Sequence, residues 1–200
     1  MDYVLPDNVE YLELLRGAVR GVGNALNNYL IGNPNNNFLD GGAGADEMQA
    51  GYGNDIYIID NSADTIYDLG GYDIVRSSAS YDALASSQRF GVTWAIEELQ
   101  LTTCSHLSYR DSDRACKISG NSGNNEINGF GGNDTIHGHD GNDRINGGLD
   151  SDILHGGAGA DTFLFDGTRI TVGVGIDQIM DFSPVQDKID RIPPPWAAWR

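Results

Sequence analysis

Basic residues are scarce in this chain: 12 Lys and Arg stand against 29 Asp and Glu, for a net charge of -17. A nucleic-acid binder needs a basic face, so that class is excluded. Long hydrophobic runs are missing as well. No stretch approaches the roughly 18 consecutive apolar residues that a membrane span requires. The first residues, Met1-Asp2-Tyr3-Val4-Leu5-Pro6-Asp7, have neither a basic start nor an apolar core, and are not read as a cleavable signal peptide. Cysteine is reduced to Cys104 and Cys116, which could close one short-loop disulfide outside the cell or stay as two thiols. The zinc-protease pattern His-Glu-x-x-His, the nucleophile elbow Gly-x-Ser-x-Gly and any convergent acid–base pair are absent, so the chain is read as no enzyme.

Glycine, by contrast, reaches 27 of 200 residues, and acids recur beside it at fixed spacing, which solubility alone does not require. Repeats therefore take precedence over local structure. Written in nines from Gly120, the chain gives Asn125, Asp134, Asp143, Asp152 and Asp161 at position 6, and Ile127, Ile136, Ile145, Leu154 and Phe163 at position 8. The first half keeps that period from Gly23. Position 6 holds Asn28, Asn37, Asp46, Asp55, Asp64, Asp73 and Asp82, and position 8 holds Leu30, Leu39, Met48, Tyr57, Ile66, Val75 and Leu84. The glycines fade after Gly53 while the period continues.

A longer repeat lies over the short one. Val9-Glu-Tyr-Leu-Glu-Leu14 resembles Ile96-Glu-Glu-Leu-Gln-Leu101, and Gly32-Asn-Pro-Asn-Asn-Asn-Phe-Leu39 matches Gly120-Asn-Ser-Gly-Asn-Asn-Glu-Ile127. Two tandem blocks follow: 1–95, with nonapeptides from 23 that degenerate after 58, and 96–192 with a C-terminal cap. A Pro- and Trp-containing tail occupies 193–200. Residues 85–95 and 102–117 fit the register poorly and read as loops or irregular strands.

Each nine supplies a short strand around position 8, with one apolar side chain inward, and a six-residue turn. The turn glycines permit left-handed backbone and close approach. Two nines make one flattened coil, so nonapeptides 18 residues apart stack: Asp134 on Asp152, Asp143 on Asp161, Asp46 on Asp64, and Asp55 on Asp73. Stacked strands lie about 4.8 Å apart. Calcium–oxygen bonds are about 2.3–2.6 Å, so an ion between coils can take a carboxylate from each, with turn carbonyls completing its shell. Hard oxygen ligands select calcium over zinc. The expected fold is all-β, a right-handed parallel β-roll. A core of single aliphatics is too thin to hold repelling acids and many glycines together, so folding should follow calcium binding. His137 and His155, at position 9 of stacked coils with His139 nearby, read as a solvent-facing pair or as a transition-metal ligand set.

Gly156-Gly-Ala-Gly-Ala-Asp161-Thr-Phe163-Leu and Gly41-Gly-Ala-Gly-Ala-Asp46-Glu-Met48-Gln meet every defined position of Gly-Gly-x-Gly-x-Asp-x-U-x, U being apolar. The chain thereby resembles the RTX (repeats-in-toxin) hemolysin-type family, whose nonapeptides form calcium-binding β-helices. Asp161-Thr-Phe-Leu-Phe-Asp166, Asp177-Gln-Ile-Met-Asp181-Phe182 and Asp187-Lys-Ile-Asp190 look like the hairpin cap of serralysin-type proteases and alginate epimerases.

That resemblance implies several calcium ions, secretion by a type I-like route without an N-terminal signal peptide, and an extracellular location. It also implies turn carbonyls at positions 1, 2 and 4 as ligands beside the position-6 aspartate. In this chain they are Gly41, Gly42, Gly44, Gly51 and Gly53, then Gly129, Gly132, Gly138, Gly141, Gly147, Gly148, Gly156, Gly157 and Gly159. Asp177 and Asp181 offer a cap site. Asn28, Asn37 and Asn125 stand where the family has the acid, which weakens or abolishes their sites, and Phe130 and His139 replace position-2 glycine. The function expected is a calcium-dependent folding module of a secreted protein. The alternative is a polysaccharide (polyuronate)-binding module using Arg144, Arg169 and Lys188.

Overall fold

The computed structural model describes residues 2–15, 17–82, 96–103, 108–110, 115–166 and 175–192. Among them are twenty short strands and no helix. The chain divides into two compact units, 1–102 and 103–200.

In the first unit, Asp2–Val4, Arg20–Val22, Phe38–Asp40, Ile56–Ile59, Ile74–Ser77 and Glu98–Leu101 pair in that order, all parallel. Tyr11–Glu13, Tyr29–Ile31, Glu47–Tyr52 and Thr65–Gly70 form a second parallel sheet. Successive strands of the chain thus alternate between two sheets. In the second unit, Lys117–Ser119, Thr135–Asp140, Ile153–Ala158 and Gln178–Ile179 form one parallel sheet. Ser108–Arg110, Glu126–Asn128, Arg144–Asn146, Thr162–Asp166 and Lys188–Ile192 form the other. Each unit is a parallel β-solenoid, the architecture that the nine-residue period predicts.

Register follows the apolar rank. Leu30 faces Met48, Met48 faces Ile66, and Leu39 faces Tyr57. Ile136 faces Leu154, and Ile145 faces Phe163. All these side chains are buried at no more than 1% exposure, one per nonapeptide, sealing the space between the sheets. A shift of one residue would turn the whole rank outward, so burial fixes the register.

The coil is already under way before Gly23. Tyr3 pairs with Gly21, and Leu12 with Leu30. Leu12 and Leu14 are buried there, as their counterparts Leu99 and Leu101 are. Strand pairing and one inward leucine suffice to build a coil without the glycine and aspartate signature. At the other end the described cap strands make no hairpin. Leu154 pairs in parallel with Ile179, and Phe163 with Ile189, so the solenoid simply continues. The reason is that Asp177 and Asp187 supply the side-chain acceptors the preceding turns need.

Candidate metal centre

The position-6 side chains form two buried ranks. None of Asn28, Asn37, Asp46, Asp55, Asp64, Asp73, Asn125, Asp134, Asp143, Asp152 or Asp161 is more than 3% exposed. Burying that many carboxyl groups is unfavourable unless something answers them. Half of each group is answered by the backbone. Oδ1 of each aspartate accepts the N–H of the residue 18 positions earlier. Asn28 donates to Asp46 at 2.7 Å, Asp46 to Asp64 at 2.9 Å, Asn37 to Asp55 at 2.6 Å and Asp55 to Asp73 at 2.8 Å. In the second unit Cys116 donates to Asp134, Asn125 to Asp143, Asp134 to Asp152 and Asp143 to Asp161, all at 2.7–2.9 Å. Glu97 closes the first ladder by accepting the Asp73 N–H, and Asp177 and Asp187 close the second by accepting those of Asp152 and Asp161.

The other oxygen divides the turns into two kinds. In closed turns the residue at position 2 donates its N–H to the side chain at position 6. Asn24 donates to Asn28, Asn33 to Asn37 and Asn121 to Asn125, at 2.7–2.9 Å. Asp60 and Asn61 likewise donate to Oδ2 of Asp64. In open turns position 2 has a left-handed backbone: Gly42 (φ 76°), Gly51 (102°), Phe130 (68°), His139 (76°), Gly148 (108°) and Gly157 (99°). Its N–H then goes elsewhere, from Gly42 to Asp40, from Phe130 to Asn128, and from Gly157 to Asp181. Oδ2 of Asp46, Asp55, Asp73, Asp143, Asp152 and Asp161 is buried with no hydrogen-bond partner among the described residues.

Four of these orphaned oxygens, those of Asp46, Asp143, Asp152 and Asp161, sit against a position-1 glycine, where Asp55 and Asp73 have Ala50 and Asp68. A β-carbon at Gly41 or Gly156 would overlap Oδ2 of that repeat's own aspartate, Asp46 or Asp161. At positions 2 and 4 the glycine lies over the carbonyl of the same position one coil back: Gly42 over Asn24, Gly44 over Leu26, Gly157 over His139 and Gly159 over Gly141. The turns of Asp46, Asp143, Asp152 and Asp161 each bring together an unsatisfied carboxylate oxygen and backbone carbonyl oxygens, the hard donor set that suits calcium. Burial raises the carboxyl pKa values, with the ladder N–H bonds opposing it. Asp46 rises to about 7, Asp55, Asp143 and Asp152 to about 6, and Asp73 to about 8. Asp64 and Asp161 rise for the same first cause. These acids hold a proton or a cation.

Of the predicted site residues, Asp46, Asp55, Asp73, Asp134, Asp143, Asp152 and Asp161, with Gly41, Gly42, Gly44, Gly51, Gly53, Gly129, Gly132, Gly138, Gly141, Gly147, Gly148, Gly156, Gly157 and Gly159, fall in open turns or their stack. Asn28, Asn37, Asn125 and Asp64 fall in closed ones. Asp177 is a ladder rung, and Asp181 accepts the N–H groups of Gly156 and Gly157 at 2.9 Å each. Sequence reasoning missed Asp68, Glu97 and Asp187. Asp68 is a buried acid at position 1, beside Asp55 and Asp73. Its signal was an acid where the motif wants glycine. His137 and His155 are in register, their rings stacked at 4.2 Å. Leu84, Cys104, Arg169 and the 193–200 tail lie outside the described residues.

Residues 22–57, 117–145 and 128–163 match the family profile of the RTX calcium-binding nonapeptide repeat, in four copies. No curated protein matches the chain.

Proposed function

We propose that this chain, whose residues 22–57, 117–145 and 128–163 match the RTX calcium-binding nonapeptide repeat, is a calcium-binding module that folds when calcium binds and serves a secreted protein as a calcium-triggered folding and stabilising element. One observation carries the reading: six buried Oδ2 atoms, four of them against a position-1 glycine, lack any donor among the described residues.

In this reading Asp46, Asp55, Asp73, Asp134, Asp143, Asp152 and Asp161 hold the ions through Oδ2 while their Oδ1 atoms keep the coils in register. The backbone carbonyls at positions 1, 2 and 4 of the turns, those of Gly41, Gly42 and Gly44 for instance, complete the shells. Bound calcium supplies the positive charge that lets ranks of carboxylates stay ionised inside a folded chain. The closed turns with Asn28, Asn37, Asn125 and Asp64 hold themselves through N–H bonds and serve as coils without an ion. The acids of the ranks are committed to these tasks, which supports a role without catalysis. Export before folding fits a net charge of -17: in low calcium the acids repel and keep the chain extended.

The test is far-UV circular dichroism of the chelated protein during calcium titration, with ion counting by equilibrium dialysis. A cooperative gain of β signal at about 0.1–1 mM calcium, the range of extracellular modules, and none with magnesium, is the expected result. Full β structure in excess chelator, unchanged by calcium, would sink the folding role.

A further inference from the structure

The family match in the first unit ends at residue 57, yet an acid cluster of a different composition runs from Asp55, inside the match, to Asp68 and Asp73 beyond it. In the glycine turns, position 1 sits so close to Oδ2 of its own aspartate that only glycine fits. The nonapeptide 68–76 has Asp68 at that inward position, 2% exposed. One carboxylate oxygen each of Asp55, Asp68 and Asp73 lies within 4.8 Å of the others, and all three residues are buried.

The placement of Asp68 is built rather than incidental. Its Oδ1 accepts the N–H of Gly70 at 2.6 Å, and its Oδ2 accepts the hydroxyl of Tyr57 at 2.5 Å. Tyr57 stands in the apolar rank where other coils carry Leu, Met or Ile, is fully buried, and has its oxygen fixed by the Ala50 N–H at 3.2 Å. Independently of the clustering, Oδ2 of Asp55 and Oδ2 of Asp73 are buried and unpartnered among the described residues. The charges acting on Asp55 and Asp73 are those of other aspartates. Three enclosed carboxylates at this separation ionise together only around a cation.

We infer that Asp55, Asp68 and Asp73, with the Tyr57 hydroxyl orienting Asp68, form an internal three-carboxylate site that binds a calcium-sized hard cation more tightly than the turns offering two aspartates. Affinity for such ions rises with the number of ligand charges and the rigidity of their mounting; here three acids meet, and Asp68 is held by two hydrogen bonds. The inference rests on the calcium-binding reading of the ranks and adds to it a ligand, Asp68, and an order of filling. This site loads first, and the coils around it are the first to set.

The experiment uses the full chain, freed of metal by chelator, titrated with calcium by calorimetry and with terbium(III) read by tyrosine-sensitised emission. Expected are a tightest binding class of one ion, its weakening by about tenfold or more in Asp68→Asn, and no effect on that class from Asp143→Asn in the other unit. Tyr57→Phe should retain the ion and lose most of the emission of the first terbium bound. An unchanged tightest class in Asp68→Asn overturns the site. That result would mean that the three acids share protons instead. If Asp68→Asn fails to fold, Tyr57→Phe decides, because undiminished emission from the first terbium overturns the site equally. Wild-type protein that takes up no calcium sinks the calcium reading and this site with it, whereas calcium uptake that ignores Asp68 sinks only this site.

Discussion

Each position-6 aspartate has two separable tasks at the scale of the residue. Oδ1 receives a backbone N–H from the coil before, and outside the closed Asp64 turn Oδ2 is, on the proposed reading, the ligand for the ion. Asparagine keeps the first task and gives up the charge; alanine abandons both. For Asp143, whose Oδ1 takes the Asn125 N–H at 2.7 Å, Asp143→Asn should therefore lose about one ion while still folding in excess calcium. Asp143→Ala should also leave a buried N–H without an acceptor, costing about 1–3 kcal/mol more. Calcium stoichiometry and melting temperature of the two variants, measured side by side in saturating calcium, check the split; equal losses in both would mean that the ladder bond contributes nothing. The aspartate rank itself was legible, because an acid every nine residues beside glycine has few other uses. Asp68 was not. A single acid off the rank carries no period, and only the inward direction of position 1 gives it meaning.

The unit of function among the elements is the turn, and its state is set by position 2 as much as by position 6. A left-handed residue there sends its N–H away from the aspartate; in the turns of Asn28, Asn37, Asp64 and Asn125 an ordinary one donates it and closes the turn. Asn121 and Asn125 form a closed turn through a 2.9 Å bond. The double substitution Asn121→Gly with Asn125→Asp should open it and raise the calcium count by about one, read by equilibrium dialysis. Asn125→Asp alone should add less, since the Asn121 N–H still occupies the new carboxylate. An unchanged count in the double variant would show that ligand spacing, not turn state, decides occupancy. The sequence pattern carried the acid-for-asparagine exchanges, but Asp64 reads as a full site and is closed by Asp60 and Asn61. Backbone direction at two neighbouring residues decides this, and residue identity reports it only when glycine is present. The early coil of residues 2–22 escaped for a related reason: strand pairing and Leu12 build it, with no glycine or acid rank to announce it.

For the whole molecule, the proposed reading has calcium and protons competing for the same buried oxygens, and the two ligands then give opposite pH slopes. In chelator, the folded chain holds Asp46, Asp55, Asp73, Asp143 and Asp152 with carboxyl pKa values raised to about 6–8 by burial. In the unfolded chain they titrate near the ordinary value of about 3.9. The folded state thus binds more protons between those limits, so its stability is full below about pH 4 and is lost as pH rises through about 6–8. Falling net charge, from -17 near neutrality, works in the same direction. In saturating calcium the carboxylates are held ionised and their effective pKa drops below the unfolded value. Stability is then present above about pH 4 and is lost on acidification. Thermal melts from pH 4 to 8 should accordingly rise toward acid in chelator and fall toward acid in calcium, so that the two curves converge at low pH. At pH 5 the chelated protein should show more β signal in circular dichroism than at pH 8. Parallel curves would mean that the aspartate ranks do not exchange protons for calcium on folding, and the acid-rich coil would have to be held by something other than the ion.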